Sequence, residues 1–164
     1  LMRYPKPLTK ETAMIPAQAI DLVRSVLGPE RLTSDRKRRR PQNATPSWGC
    51  CYIASEAVRE ILGRDLYTPH SVKVTGDVHW CLVHKETGAI VDPTADQFDT
   101  APDYASGRGR GFLTKEPSKR ARAILEDAWA AMDDADRFDY MEAKQETYEE
   151  RLNDYRYENE SVNS

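Results

Sequence analysis

Trp48-Gly49-Cys50-Cys51-Tyr52-Ile53-Ala54-Ser55-Glu56-Ala57 runs from a loop into a helix that has cysteine in its first turn. Ile53, Ala54, Ala57, Val58, Ile61 and Leu62 recur at spacings of three and four until Gly63, so the stretch predicts a helix buried centrally in its domain. Backbone N–H groups at a helix start have no partner within the helix and lie at the positive end of its dipole. They stabilise a thiolate and, later, an oxyanion. Cys51 is therefore a candidate nucleophile, against the plainer alternative of a packed structural cysteine.

The segments downstream of this helix supply partners for a thiolate. Ser71–Thr75, Val78–Val83 and Ala89–Thr94 read as strands, separated by Gly76-Asp77 and by Lys85-Glu86-Thr87-Gly88, which predicts a helix followed by an antiparallel meander. Alternation places His79, Cys81 and Val83 on one face, Val78, Trp80, Leu82 and His84 on the other, and Asp92 with Ile90. His79 is the candidate base and Asp92 its orienting acid; His70 and His84 read as loop and turn residues. A zinc site built from Cys50, Cys51, Cys81, His79 and His84 would need adjacent cysteines and alternating strand positions to converge on a tetrahedron, so neither a metal nor another cofactor is expected.

Residues 1 to 11 carry Pro5 and Pro7 without periodicity and read as an extended lead-in. A first helix is expected from Pro16, with Ala19, Leu22, Val23, Val26 and Leu27 as its stripe, ending at Gly28-Pro29. Residues 33 to 47 read as a solvated loop holding the basic run Arg36-Lys37-Arg38-Arg39-Arg40; nucleic-acid binding through that run is not favoured, because no aromatic platform or known motif stands beside it. Three alternate glycines at Gly107, Gly109 and Gly111 predict a flexible loop without regular structure near the site. Pro117-Ser118 opens a helix with Ala121, Ile124, Leu125, Ala128, Trp129 and Met132 as its apolar stripe. Phe138, Met141, Tyr148, Leu152 and Tyr155 then form a seam that packs on its own domain or pairs two chains as a homodimer.

The chain has 164 residues, 39% hydrophobic and 31% charged, with a net charge of -3, which excludes fibrous, membrane and wholly disordered classes. From Glu126 onward 13 acidic residues face 4 basic ones, a net of -9 that leaves +6 for the part carrying Cys51. The division expected is a catalytic-like α+β domain over 1–132 and an acidic helical extension over 133–164. No apolar run reaches the roughly 20 residues of a membrane span, the N-terminus lacks a signal-peptide core, and Leu1-Met2 reads as a remnant before the true start. Three cysteines, two of them adjacent, make no disulfide framework, and free thiols in a cytoplasm are expected.

Gly49-Cys50-Cys51-Tyr52-Ile53-Ala54-Ser55 resembles the nucleophile segment of papain-like and transglutaminase-like enzymes, in which glycine, any residue, cysteine and an aromatic lead into a helix of small residues. His79-Trp80 and Val91-Asp92-Pro93-Thr94 resemble the histidine and aspartate segments of the transglutaminase-like branch, in the same order. The aromatic after the family's cysteine matches Tyr52, which makes Cys51 the nucleophile and Cys50 its rival. The stretch also resembles small uncharacterised proteins of tailed bacteriophages, for which the compartment would be the host cytoplasm.

The resemblance implies a papain-like α+β core, with a central helix packed on a small antiparallel sheet and extra C-terminal helices. It further implies a Cys51, His79, Asp92 triad acting on a peptide, isopeptide or glutamine-type amide of a protein or peptide substrate by hydrolysis, deamidation or transfer. Trp48, Gly49, Cys50, Tyr52 and Trp80 flank the triad and are candidate substrate contacts, as are Gln97, Arg108 and Arg110, with packing or solvation as the plain alternative. No upstream glutamine stands at the papain spacing; Gln42, Asn43 or Trp48 would have to complete an oxyanion hole. The competing class is a non-catalytic phage-encoded binding or inhibitor protein that holds an acidic or phosphorylated partner on its basic loops.

Overall fold

The computed structural model describes residues 14–138, 140 and 141. The predicted lead-in at residues 1 to 11, the seam positions Tyr148, Leu152 and Tyr155, and most of the 133–164 extension lie outside the described residues.

The described chain runs α1 (Pro16–Arg24), α2 (Ser34–Arg39), α3 (Cys51–Leu62), β1 (Tyr67–Val74), β2 (Asp77–His84), β3 (Ile90–Val91), β4 (Arg108–Gly109) and α4 (Lys119–Ala131). It is an α+β fold: helices pack on one small sheet of order β3-β2-β1-β4, with every pairing antiparallel. α3 lies at the centre, against α1, α4 and β2. Its periodic residues Ala54, Ala57, Val58 and Ile61 are essentially without solvent contact, and with Val23, Leu82 and Ile124 they build the core. A polar fastening joins the two layers, because the buried Ser55 hydroxyl donates to the Trp80 carbonyl of β2 at 3.3 Å.

The buried acid of α3 has a structural purpose. Glu56, 3% exposed, accepts from the Ser118 amide and the Ser118 hydroxyl, both at 2.7 Å. Ser118 is also the N-cap of α4, receiving the Ala121 amide at 3.3 Å, so one buried carboxyl positions the helix that closes the core.

Three expectations change. The basic run is a helix, α2, rather than a loop: Thr33 caps it by accepting from the Arg36 amide at 3.2 Å, and Arg38 and Arg39 both reach back to Asp35 on the same short helix. β1 begins at Tyr67, four residues ahead of the expected strand and through Pro69. The Pro69 carbonyl faces the β4 side, where it accepts from Arg110, and β4 pairs with only His70 and Ser71; a missing donor is tolerated on so short an edge. His70 and His84 accordingly lie on strands, not in a loop and a turn.

The glycine-rich segment is the third change, since it carries β4 and a 3-10 turn at Tyr104–Ser106. A methyl on Gly107 would stand 2.9 Å from Val72 Cγ2 and 3.1 Å from the Tyr104 carbonyl. The glycine is what allows the segment to lie flat on β1. Among the described residues no helix is long and apolar enough to cross a membrane.

Candidate functional site

Cys51 is the first residue of α3, and its N-cap residue Cys50 makes no side-chain cap hydrogen bond to the first turn. The turn into α3 depends on Gly49. Its φ of +76 lies in the left-handed region, and a methyl there would meet Leu32 Cδ2 at 3.0 Å.

Across from the helix start, β2 presents His79, 1% exposed. Its Nε2 donates to Asp92 Oδ2 at 2.7 Å, because a carboxylate can only accept. Asp92 is 7% exposed and stands just past β3, where the chain turns. The expected shared face of Asp92 and Ile90 does not form: the strand ends at Val91, Ile90 is 41% exposed, and Asp92 turns inward by accepting the Thr94 amide on Oδ1 at 3.2 Å.

The segment after Asp92 is tied down on two sides. Arg24 of α1 donates to the Pro93 carbonyl at 2.7 Å, and Ser47 donates to Asp96 at 3.0 Å. Gln97 then links all the parts. Its Oε1 accepts from the Gly49 amide at 3.4 Å, while its Nε2 donates to Thr94 Oγ1 at 3.1 Å and lies 3.2 Å from His79 Nδ1. The Phe98 ring stands edge-on to the imidazole at 4.7 Å and shields it.

Burial pushes the His79 pKa down, but hydrogen bonding to Asp92 and to Cys51, together with the charges on both, outweighs it and raises the value to about 9. The other thiols are different. Burial, and then the neighbouring Cys51, push Cys50 up to about 11; burial, and then the Asp92 and Cys51 charges, push Cys81 up to about 12. Both are held as neutral thiols.

Cys51 lines a cavity of about 310 Å³ together with Gly49, Tyr52 and Trp80. Tyr52 and Trp80 meet edge to face at 5.0 Å, and the Tyr52 hydroxyl accepts from the Leu113 amide at 2.8 Å, which fixes that wall. The other candidates fall elsewhere. Trp48 packs on the core, Cys50 is fully buried within it, and Gln97 meets the imidazole rather than the cavity. Arg108 and Arg110 are exposed beside the β1 edge, on the opposite side of the sheet from β3, and do not line the cavity. Gln42 and Asn43 are exposed and do not line it either.

Tyr104 is the site residue that sequence reasoning missed. Its hydroxyl donates to Asp92 Oδ2 at 2.6 Å, and burial together with that bond raises its pKa, so the phenol keeps its proton. The only signal was an aromatic twelve residues past Asp92, inside a segment rich in glycine. Among the described residues no group of three or more His, Cys, Asp or Glu is arranged to hold a metal ion. No protein-family model, no curated protein and no solved structure matches the chain.

Proposed function

We propose that this protein carries out thiol-dependent acyl chemistry on an amide, with Cys51 as nucleophile, His79 as base and Asp92 as its orienting acid, on a core of the papain-like, transglutaminase-like kind. The observation that carries the reading is a buried histidine whose Nε2 is held by a buried carboxylate and whose proton is held more tightly because of Cys51, the first residue of the central helix.

Asp92 occupies Nε2, so Nδ1 is the nitrogen that exchanges a proton with sulfur. The Cys51 S–H proton passes to Nδ1, and the thiolate attacks the acyl carbon. The resulting oxyanion accepts from the N–H groups of the α3 first turn. The imidazolium then returns its proton to the leaving nitrogen, the C–N bond breaks, and a thioester on Cys51 remains. Attack by water completes hydrolysis or deamidation; attack by an amine completes transfer. Gln97 Nε2 lies 3.2 Å from the same Nδ1, whose single lone pair cannot serve both the amide and the sulfur; while the ring is charged, Nε2 donates to Thr94 Oγ1 alone and Oε1 still holds the Gly49 amide.

The test is iodoacetamide labelling against pH, read thiol by thiol by peptide mass spectrometry, in the wild type and in His79→Ala. Labelling of Cys51 far ahead of Cys50 and Cys81 at pH about 6–7, slowed about tenfold or more in His79→Ala, is the expected result. Equal labelling in the two proteins would overturn the reading. Binding of a partner that survives Cys51→Ala and weakens with salt would favour a non-catalytic role.

A further inference from the structure

The cavity beside Cys51 has an uneven charge. Three guanidinium groups line it, those of Arg31, Arg36 and Arg120, against one carboxylate, Asp77. Two of the three are engaged. Arg36 pairs with Asp77 at 3.3 Å, and Arg31 donates to the Val26 carbonyl at 2.9 Å and pairs with Asp127. Arg120 is exposed and has no hydrogen bond or ion pair among the described residues. A guanidinium without a partner among the described residues is therefore left over on the wall of the cavity that Cys51 also lines.

The rest of the wall gives that charge a use. Trp80 and Tyr52 make one side apolar and fixed, so a ligand entering the cavity gives up much of its water, and charges act more strongly on one another there than in bulk solvent. At about 310 Å³ the space is at the small end of ligand pockets, which run from about 300 Å³ upward. It fits a side chain or a small acyl group rather than a long stretch of polymer. A guanidinium binds a carboxylate through two parallel hydrogen bonds, which adds orientation to attraction.

We infer that the cavity is the acyl subsite and that it selects an amide whose acyl part carries a carboxylate, received by Arg120 with Arg36 as a second donor. The inference rests on Cys51 being the reacting thiol of the proposed function. Substrates of this class are amides of acidic amino acids or of dicarboxylic acids. Neutral or basic acyl groups leave Arg120 unpaired and react more slowly.

The experiment compares iodoacetate, which carries a carboxylate, with iodoacetamide, its neutral counterpart, as alkylating reagents for Cys51 in the folded full chain and in the urea-unfolded chain. The rate ratio of iodoacetate to iodoacetamide is expected to be about tenfold or more higher in the folded protein and to fall as salt rises from about 20 to 500 mM. It is expected to fall about threefold to tenfold in Arg120→Gln, and further in Arg36→Gln/Arg120→Gln. Lys115→Gln, on a separate cavity, should leave the ratio where it is. A ratio in Arg120→Gln equal to that of the wild type, or a folded ratio no higher than the unfolded one, overturns the inference. Fast iodoacetamide labelling with a flat ratio sinks only the anion subsite; slow labelling by both reagents with a high ratio sinks the nucleophile and leaves the subsite standing.

Discussion

Tyr104 and His79 share one oxygen of Asp92: Oδ2 accepts the tyrosine hydroxyl at 2.6 Å and the histidine Nε2 hydrogen at 2.7 Å. With Oδ1 taken by the Thr94 amide, the carboxylate is held at both ends, and the imidazole is held by a group that cannot itself rotate. Because Tyr104 competes for the same lone pairs, it moderates how strongly Asp92 favours the charged ring.

Tyr104→Phe removes that competitor. The His79 pKa should move up relative to the wild type, whereas Asp92→Asn should move it down, and stability should fall by about 1 kcal/mol for the lost hydrogen bond. Proton NMR titration of the imidazole in the three proteins reads both directions. A lower His79 value in Tyr104→Phe than in the wild type would contradict the shared-oxygen account.

Stability should depend on pH through the same ring. The folded protein holds the His79 proton more tightly than the unfolded chain does, with a pKa of about 9 against an ordinary 6.5. The resulting stabilisation is complete below about pH 6.5 and is lost as pH rises through about 9; a shift of this size corresponds to roughly 3 kcal/mol at most. The melting temperature should fall across that window in the wild type and much less in Asp92→Asn. Parallel curves for the two proteins would rule out the Asp92 pairing as the cause.

Gly49→Ala should cost about 1–2 kcal/mol, since alanine strains at positive φ and its methyl presses on Leu32. The same change displaces the Gly49 amide from Gln97, so Cys51 alkylation should slow as well. Denaturant unfolding and labelling of the one variant check both effects. Unchanged labelling with reduced stability would show that the Gly49 loop does not set the sulfur's position.

Glu56→Ala leaves two Ser118 donors without their acceptor and uncaps the junction of α3 with α4, for an expected loss of about 2–4 kcal/mol. Glu56→Gln keeps one acceptor oxygen and should lose less. The comparison is made by urea denaturation, and equal losses would mean that burial volume, rather than hydrogen bonding, is what Glu56 supplies.

Spacing of apolar residues determined the helices that matter most. Ile53, Ala54, Ala57, Val58 and Ile61 could bury together only as one face of a helix, and Ser118 ahead of Ala121 and Ile124 marked the start of α4, because caps and periodicity are local properties. The same local logic put His79 on a strand, as found, and put Asp92 on the next one, which instead ends at Val91. What local pattern could not carry was pairing. Arg36 through Arg39 lie in a helix that Thr33 caps, where Asp35 and Asp77 take up part of their charge, and Asp77 is 41 residues away from Arg36. Tyr104 reaches Asp92 only because Gly107 lets its segment lie against β1, and Gln97 reaches both Gly49 and His79 only once the turn after β3 is tied to α1 through Arg24. Such contacts are decided by which loops the packed core brings together. The sequence alone therefore determined the order of a cysteine, a histidine and an aspartate on or beside a helix and a meander, and the tertiary structure decided what holds His79 and Asp92 and which charged residues line the cavity beside Cys51.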